Sequence, residues 1–221
     1  LHTVSFKIFI AHNPHFLSHI SDCRIFSLFI YFHFWKSNFL STSFQNKLHC
    51  IKLILRDLFL NKLSPVNAFT AWIGPQDAPQ DFKHLDLLLE IKTNSASSNR
   101  PIKISSLEQL NSKGLKLYLI HQLISEDRTD GITLQELVNS IREEYSSADL
   151  NAEVLFKIAL LNVGFKDDER YNHLKWKLHS RKSYQVEEGF PMLTDENVHP
   201  SISKATYIIE IESCSEHIVE K

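Results

Sequence analysis

The chain has 221 residues, of which 43% are hydrophobic and 23% charged, the composition of a globular protein with one substantial core and room for a small appendage. A formal net charge of −2 excludes nucleic-acid binding through bulk charge, so any such binding needs a local patch. Cys23, Cys50 and Cys214 are odd in number and far apart, which excludes a disulfide framework and a CxxC metal site; a reducing cytoplasm is the expected location.

The first fifty residues differ in character from the rest. They carry four Lys/Arg, a single acidic residue (Asp22), nine Phe and six His, whereas residues 51–221 carry twenty Lys/Arg against twenty-five Asp/Glu. Residues 1–45 are therefore expected to be an atypical segment, a fragment or a stretch read out of its original frame. The apolar run from Ile25 to Trp35 is about half the ~20 residues a bilayer span needs, and His33 interrupts it. The start shows no basic-then-apolar-then-small signal-peptide pattern. His12, His15, His19 and Cys23 are spaced to share a helix face and invite a zinc reading. Pro14 inside the set and the abundance of His throughout the segment support a compositional one instead.

From Lys47 the pattern becomes regular. Ile51, Leu55, Leu58 and Phe59 form a helical stripe, expected to stop at Pro65. Trp72, Gly74, Pro75 and Pro79 mark an irregular turn leading into Asp81. Alternation from Leu85 to Ile91 then predicts a strand with Leu85, Leu87, Leu89 and Ile91 on one face and Asp86, Leu88, Glu90 and Lys92 on the other. On that strand Glu90 and Lys92 lie roughly 6–7 Å apart, while Asp86 is about 13 Å from Glu90 and reads as a surface charge. Asp81, nine positions before Glu90, can return beside it from a neighbouring strand or bend. An Asp and a Glu at one point make a hard oxygen site suited to Mg²⁺, and a Lys beside it can orient water or stabilise charge on a phosphate. Solvated charges on a strand give the same pattern.

Asn94 to Pro101 is a polar loop, and Ile102 to Ile104 a short extended piece. Ser105 to Glu108 reads as a capping box opening a short helix that ends near Gly114. Leu115 to Ile124 is a buried strand. Thr133 and Glu136 form a second capping box, followed by a helix with its stripe on Leu134, Leu137, Val138, Ile141 and Tyr145. A further helix from about Asn151 is expected to pack through Val154, Leu155, Ile158 and Leu161 and to end at Gly164. Lys175, Lys177, Arg181 and Lys182 gather around Trp176, either as a phosphate-holding patch with Trp176 or Tyr184 to stack on a base, or as an ordinary solvated face. Ala205 to Ile211 is a strand expected beside Tyr184 to Val186.

The order helix, strands, helix, strand, together with GPQDAPQDF, LLLEIKTNS, ISSLEQL (Ile104 to Leu110) and YQVEEGFPML (Tyr184 to Leu193), resembles the PD-(D/E)XK nuclease superfamily. More narrowly it resembles an uncharacterised bacterial family of PD-(D/E)XK motif proteins, over roughly residues 50–215. The resemblance implies an α/β restriction-endonuclease-like core (helix, three strands, helix, strand) at 46–125, with a helical and β C-terminal extension at 126–221. It makes Asp81 the motif aspartate, Glu90 the acidic position and Lys92 the lysine. Gln80 stands where the motif usually has Pro, with Pro79 one place earlier. It also implies an acid in the first helix, but HCIKLILRD has no glutamate; Asp57 either substitutes or is a surface charge.

What the resemblance implies chemically is metal-assisted phosphodiester hydrolysis without a covalent intermediate. Asp81 and Glu90 would hold one or two Mg²⁺ (or Mn²⁺), with a backbone carbonyl near Ile91 as a further ligand, and Lys92 would position water or phosphate. Gln109 either assists the site or is an exposed helix residue. Two functions follow: a Mg²⁺-dependent DNA endonuclease associated with bacterial restriction or phage defence, or a catalytically inactive nuclease-like fragment or DNA-binding accessory subunit.

Overall fold

Ser41 opens the first helix by accepting the Phe44 N–H on its hydroxyl, at the start of α1 (Thr42–Ile54). In the computed structural model, which describes residues 40–98, 101–146 and 149–219, this helix continues through a π-helical turn over Leu55–Leu60. The histidine set at 12–23 and the apolar run at 25–35 lie outside the described residues. Residues Leu40–Lys221 make one compact unit.

Pro65 does not stop a helix but starts one. Ser64 caps the Asn67 N–H, and Pro65 takes the first turn of α2 (Pro65–Ala71), where its missing N–H is no loss. The chain then passes through a 3₁₀ turn, Gly74–Gln76, into a hairpin of β1 (Phe82–His84) and β2 (Leu87–Ser95). His84 pairs with Leu87, so Leu85 and Asp86 form a two-residue connection. Leu85 has φ 53° and is 79% exposed. The predicted alternation therefore begins two residues late, and Leu85 occupies a turn position that glycine usually holds.

β3 (Pro101–Ile104) follows, and β4 (Lys116–Glu126) returns parallel to β2. The expected helix at Ser105–Leu110 is a bend and a turn instead. Its side chains and neighbours take up the polar groups a helix would pair: Gln109 Oε1 accepts the Ser105 N–H, and Gln80 Nε2 donates to the carbonyls of Glu108 and Gln109. The chain continues through β5 (Ile132–Thr133), α3 (Leu134–Ile141), α4 (Leu150–Asn162), β6 (Lys175–Val186) and β7 (Tyr207–Glu210). The capping box of α3 forms in full between Thr133 and Glu136.

The main sheet has the order β1-β2-β4-β6-β5, with only β2 and β4 parallel. This mixed α/β architecture is compatible with a restriction-endonuclease-like core. One face carries Leu89, Ile91 and Ile120 and is covered by α1 and its π-helical extension, where Phe59 stacks on Phe82 at 4.7 Å and Gln122 Nε2 donates to the Cys50 carbonyl. The other carries Leu88, Leu117 and Leu119, packed with Ile102, Ile104, Phe190 and Ile209 in a second core. That core includes a small sheet in which β7 pairs with β3. The C-terminal strand thus pairs with Pro101–Ile104 and not with Tyr184–Val186, which shares the second core with Ile209 and Ile211 and forms a bridge from Tyr184 to Ile218.

α4 packs through a face other than the expected one. Ala152, Phe156, Ala159 and Leu160 are buried, while Val154, Ile158 and Leu161 are exposed. The helix is apolar around most of its circumference, so periodicity cannot select a side. Alanines allow close approach to α2, and Phe156 stacks on Phe69 at 4.8 Å.

Candidate active site

The site is built on the β1–β2 hairpin, where antiparallel pairing returns the chain upon itself. Phe82 pairs with Leu89, so the preceding residue, Asp81, meets the stretch around Glu90 and Ile91. The Asp81 N–H donates to the Leu89 carbonyl, and its Oδ2 accepts the Ile91 N–H at 2.9 Å. The Asp81 carbonyl in turn accepts the N–H groups of both Ile73 and Gly74. A Cβ at Gly74 would lie 3.3 Å from Asp81 Oδ1, a tight contact that would press on the carboxylate. Within a strand the N–H and C=O of one residue point to the same edge. The Ile91 carbonyl therefore shares the edge of its N–H, on the Asp81 side.

Glu90 and Lys92 project from the second-core face of β2, two residues apart as alternation requires. Lys92 Nζ forms an ion pair with Glu90 Oε1 at 2.9 Å and donates a hydrogen bond to Gln109 Oε1, also at 2.9 Å. Because Gln109 Oε1 also accepts the Ser105 N–H, the amide oxygen is fixed between backbone and ammonium. Gln80, buried at the motif position where Pro is usual, clamps the Glu108–Gln109 turn from the other side. Its role was not legible from the motif alone, which marks that position only as a departure.

Burial dominates the electrostatics. It raises the Asp81 carboxyl above its usual range, with Lys47 and the Ile91 N–H pulling back. Glu90 is pushed up to about 8, by burial first and then by the negative charge of Asp81, with Lys92 opposing. Glu90 Oε1 is buried and faces the Lys92 ammonium at 2.9 Å. Two desolvated carboxylates whose charged forms burial disfavours are a donor set that added positive charge relieves, so these residues fit a hard divalent cation. Among the described residues no cluster of three or more His, Cys, Asp or Glu forms, so the protein offers two carboxylates here.

α1 contributes a lysine at this point and not an acid: Lys47 Nζ lies 3.6 Å from Asp81 Oδ1. Sequence reasoning missed it, because a lysine in a helix's exposed half carries no distinguishing signal. Asp57 belongs elsewhere. It sits with Arg56 and Arg181, the latter at 2.9 Å, on the α1 side of the sheet. Asp86 is exposed and paired with Lys116.

The four basic residues of β6 are divided. Arg181 pairs across the sheet with Gln122 and Thr93, and its charge is taken by Asp57. Lys182 pairs with His121, which pairs with Lys92, so these three share one cross-strand row on the site's face. His121 Nε2 lies 2.9 Å from Asn94 Oδ1 in the next position of β2 on that face. Lys177 is held by Asp127 and Asp130. Lys175 pairs with Thr133 at the far end of β6. The bulge between Leu123 and Ile124 shifts the register between the two ends of this strand.

No helix of the described residues is long and apolar enough to cross a membrane. No curated protein and no solved structure is similar to the chain at a significant level. A family model described as "Putative PD-(D/E)XK family member, (DUF4420)" matches residues 31–212. The match includes every residue of the site described above, and the chain belongs to this PD-(D/E)XK family.

Proposed function

We propose that the protein is a divalent-metal-dependent nuclease that hydrolyses DNA phosphodiester bonds, in keeping with a bacterial restriction or phage-defence role. The observation that carries this reading is the convergence of Asp81, Glu90, Lys92 and Gln109 from three separate segments. Asp81 and Glu90 would hold Mg²⁺ or Mn²⁺. A bound ion supplies a more acidic water and neutralises charge on the phosphate. Lys92, fixed between Glu90 and Gln109, presents an ammonium at the place where a phosphate oxygen or attacking water must be oriented. Gln109 is a positioning residue that acts through Lys92. Lys182 and His121, in the row of Lys92, extend the polar surface across the sheet, where a phosphate backbone can lie.

Lys47 favours a second reading, an inactive nuclease-like subunit that binds DNA, because it puts a cation against Asp81 where a third carboxylate would serve an ion. Plasmid nicking in Mg²⁺ or Mn²⁺ separates the two. Metal-dependent cleavage that disappears in both Glu90→Ala and Lys92→Ala supports the nuclease. A folded, monodisperse protein that binds DNA without cutting it supports the subunit. Cleavage surviving both substitutions rejects this site.

A further inference from the structure

Two carboxylates and two ammonium groups meet at one point: Asp81 with Lys47, and Glu90 with Lys92. Their formal charges cancel, so a divalent ion entering the free protein leaves an excess of two positive charges in a largely buried site. The two lysines are not equivalent. The Lys92 side chain is 12% exposed and fixed by Gln109, whereas that of Lys47 is 47% exposed and touches Asp81 from outside at 3.6 Å. Lys92 cannot leave without losing its part-buried hydrogen bond to Gln109 and its pairing with buried Glu90; Lys47 can swing into water on its flexible stem. An ion held on Asp81 would stand within the Coulombic reach of Lys47 Nζ, which lies 3.6 Å from Asp81 Oδ1.

We propose that Lys47 is a tethered cation that stands in for the metal at Asp81 and makes divalent-ion binding conditional on a phosphodiester backbone. The arriving phosphates supply the negative charge that the neutral site lacks and draw Lys47 away from Asp81. Ion and DNA then bind cooperatively, each raising the affinity for the other by the same factor. This inference rests on the nuclease reading of Asp81 and Glu90, and deepens it by giving the site a substrate-gated ion.

The test is Mn²⁺ binding to the whole chain, followed by electron paramagnetic resonance of the free ion, with and without a short phosphorothioate duplex that resists cleavage. Wild type should bind Mn²⁺ weakly alone, and Lys47→Met should bind it at least about ten-fold tighter, within the usual range of coupling between sites. Lys47→Arg, which keeps the charge, should behave as wild type. The duplex should raise wild-type Mn²⁺ affinity by a larger factor than that of Lys47→Met. Equal Mn²⁺ affinity in wild type and Lys47→Met, with binding lost in Glu90→Gln, overturns the role of Lys47 and leaves the metal site standing. Mn²⁺ binding that is undetectable in every variant, or unchanged in Glu90→Gln, overturns both. Unchanged thermal unfolding of Lys47→Met and Glu90→Gln certifies that each comparison is between folded proteins.

Discussion

Two lysines of the described residues, Lys92 and Lys52, sit on opposite sides of the sheet, and their surroundings make opposite use of them. Lys92, on β2, meets a carboxylate and a side-chain carbonyl within 2.9 Å. Lys52, on α1, is completely buried and has no hydrogen-bond partner; its Nζ lies about 5 Å from the ring centres of Trp72, Phe156 and Phe165. Ring faces attract an ammonium but do not replace its hydration. Burial accordingly holds the Lys52 amine well below the ordinary lysine range, with the positive charge of Arg142 adding to it and Asp167 opposing. His49, one turn earlier, is also buried with neither ring nitrogen partnered. The contrast separates a region in which the polar groups are paired with one another from one that tolerates a titratable group only as its neutral form. Polar residues in a core thus mark function when they satisfy one another, and cost stability when they do not.

The sharpest break of the comparison is at Lys92. Lys92→Met keeps the stem and removes the charge, and should lower the initial nicking rate by roughly 10²–10³-fold, the loss typical of a preorganised charge at a transition state. Gln109→Ala should cost less, because the ammonium remains but loses its anchor. A rate for Gln109→Ala equal to that of Lys92→Met would mean that Gln109 touches substrate itself.

Lys52→Met should do the reverse, raising stability at neutral pH by about 1–4 kcal/mol in urea unfolding and leaving nicking unchanged. The sign follows from linkage. The folded-state pKa is depressed, so the unfolded chain binds the proton more tightly and wild-type stability falls as pH drops from the ordinary lysine pKa toward the folded one. Wild type should therefore gain stability on going from pH 7 to pH 10, and Lys52→Met should lack that slope. A parallel slope in the variant would assign it to other groups.

His49 gives the same test at acid pH. Its folded pKa is lowered from 6.5 to about 4, by burial first and then by Arg56 and Lys52. The stability of the neutral form is fully present above pH 6.5 and is lost as pH falls toward 4, about 3 kcal/mol over the interval. His49→Leu should remove this part of the acid transition, measured as urea midpoints at pH 7 and pH 4.5. An unchanged difference between the two midpoints would show that His49 binds its proton alike in the folded and unfolded chains.

The two regions were not equally legible in the sequence. Asp81, Glu90 and Lys92 stood out because a strand's period of two and a hairpin's return bring them together from local spacing, whereas Gln109 was suggested only by the family resemblance. The capping box at Thr133 and Glu136 was legible for the same reason: both partners lie within one turn. What failed depended on distant partners. Ser105–Leu110 has a helix-opening pattern, but Gln80 captures its carbonyls from 28 residues away. The strand at Tyr207–Glu210 was expected beside Tyr184 to Val186, and tertiary packing set it on β3 instead. On α4 nothing in the sequence distinguished Phe156 from Ile158 as the buried residue. Lys52 falls on the helix that the sequence reading treated as an apolar stripe, and only the positions of three rings reveal what surrounds it.

The smallest effect is expected at Asp86, which resembles the site residues in sequence and differs from them in setting. It was assigned to the face of Glu90, yet it occupies the hairpin turn and pairs with Lys116 at 3.2 Å with both side chains exposed. Water screens such a pair, and ordering two mobile side chains offsets most of the attraction. Lys116 lowers the Asp86 carboxyl, so what stability the pair confers is present above the ordinary aspartate pKa and disappears as pH falls below it. Asp86→Ala should leave the urea midpoint at pH 7 and the nicking rate indistinguishable from wild type. A loss of nicking comparable to that of Glu90→Ala would mean that the ion is held at the hairpin tip and not at the Asp81 end of β1, and the contrast between satisfied and unsatisfied buried charge would then have been drawn around the wrong carboxylate.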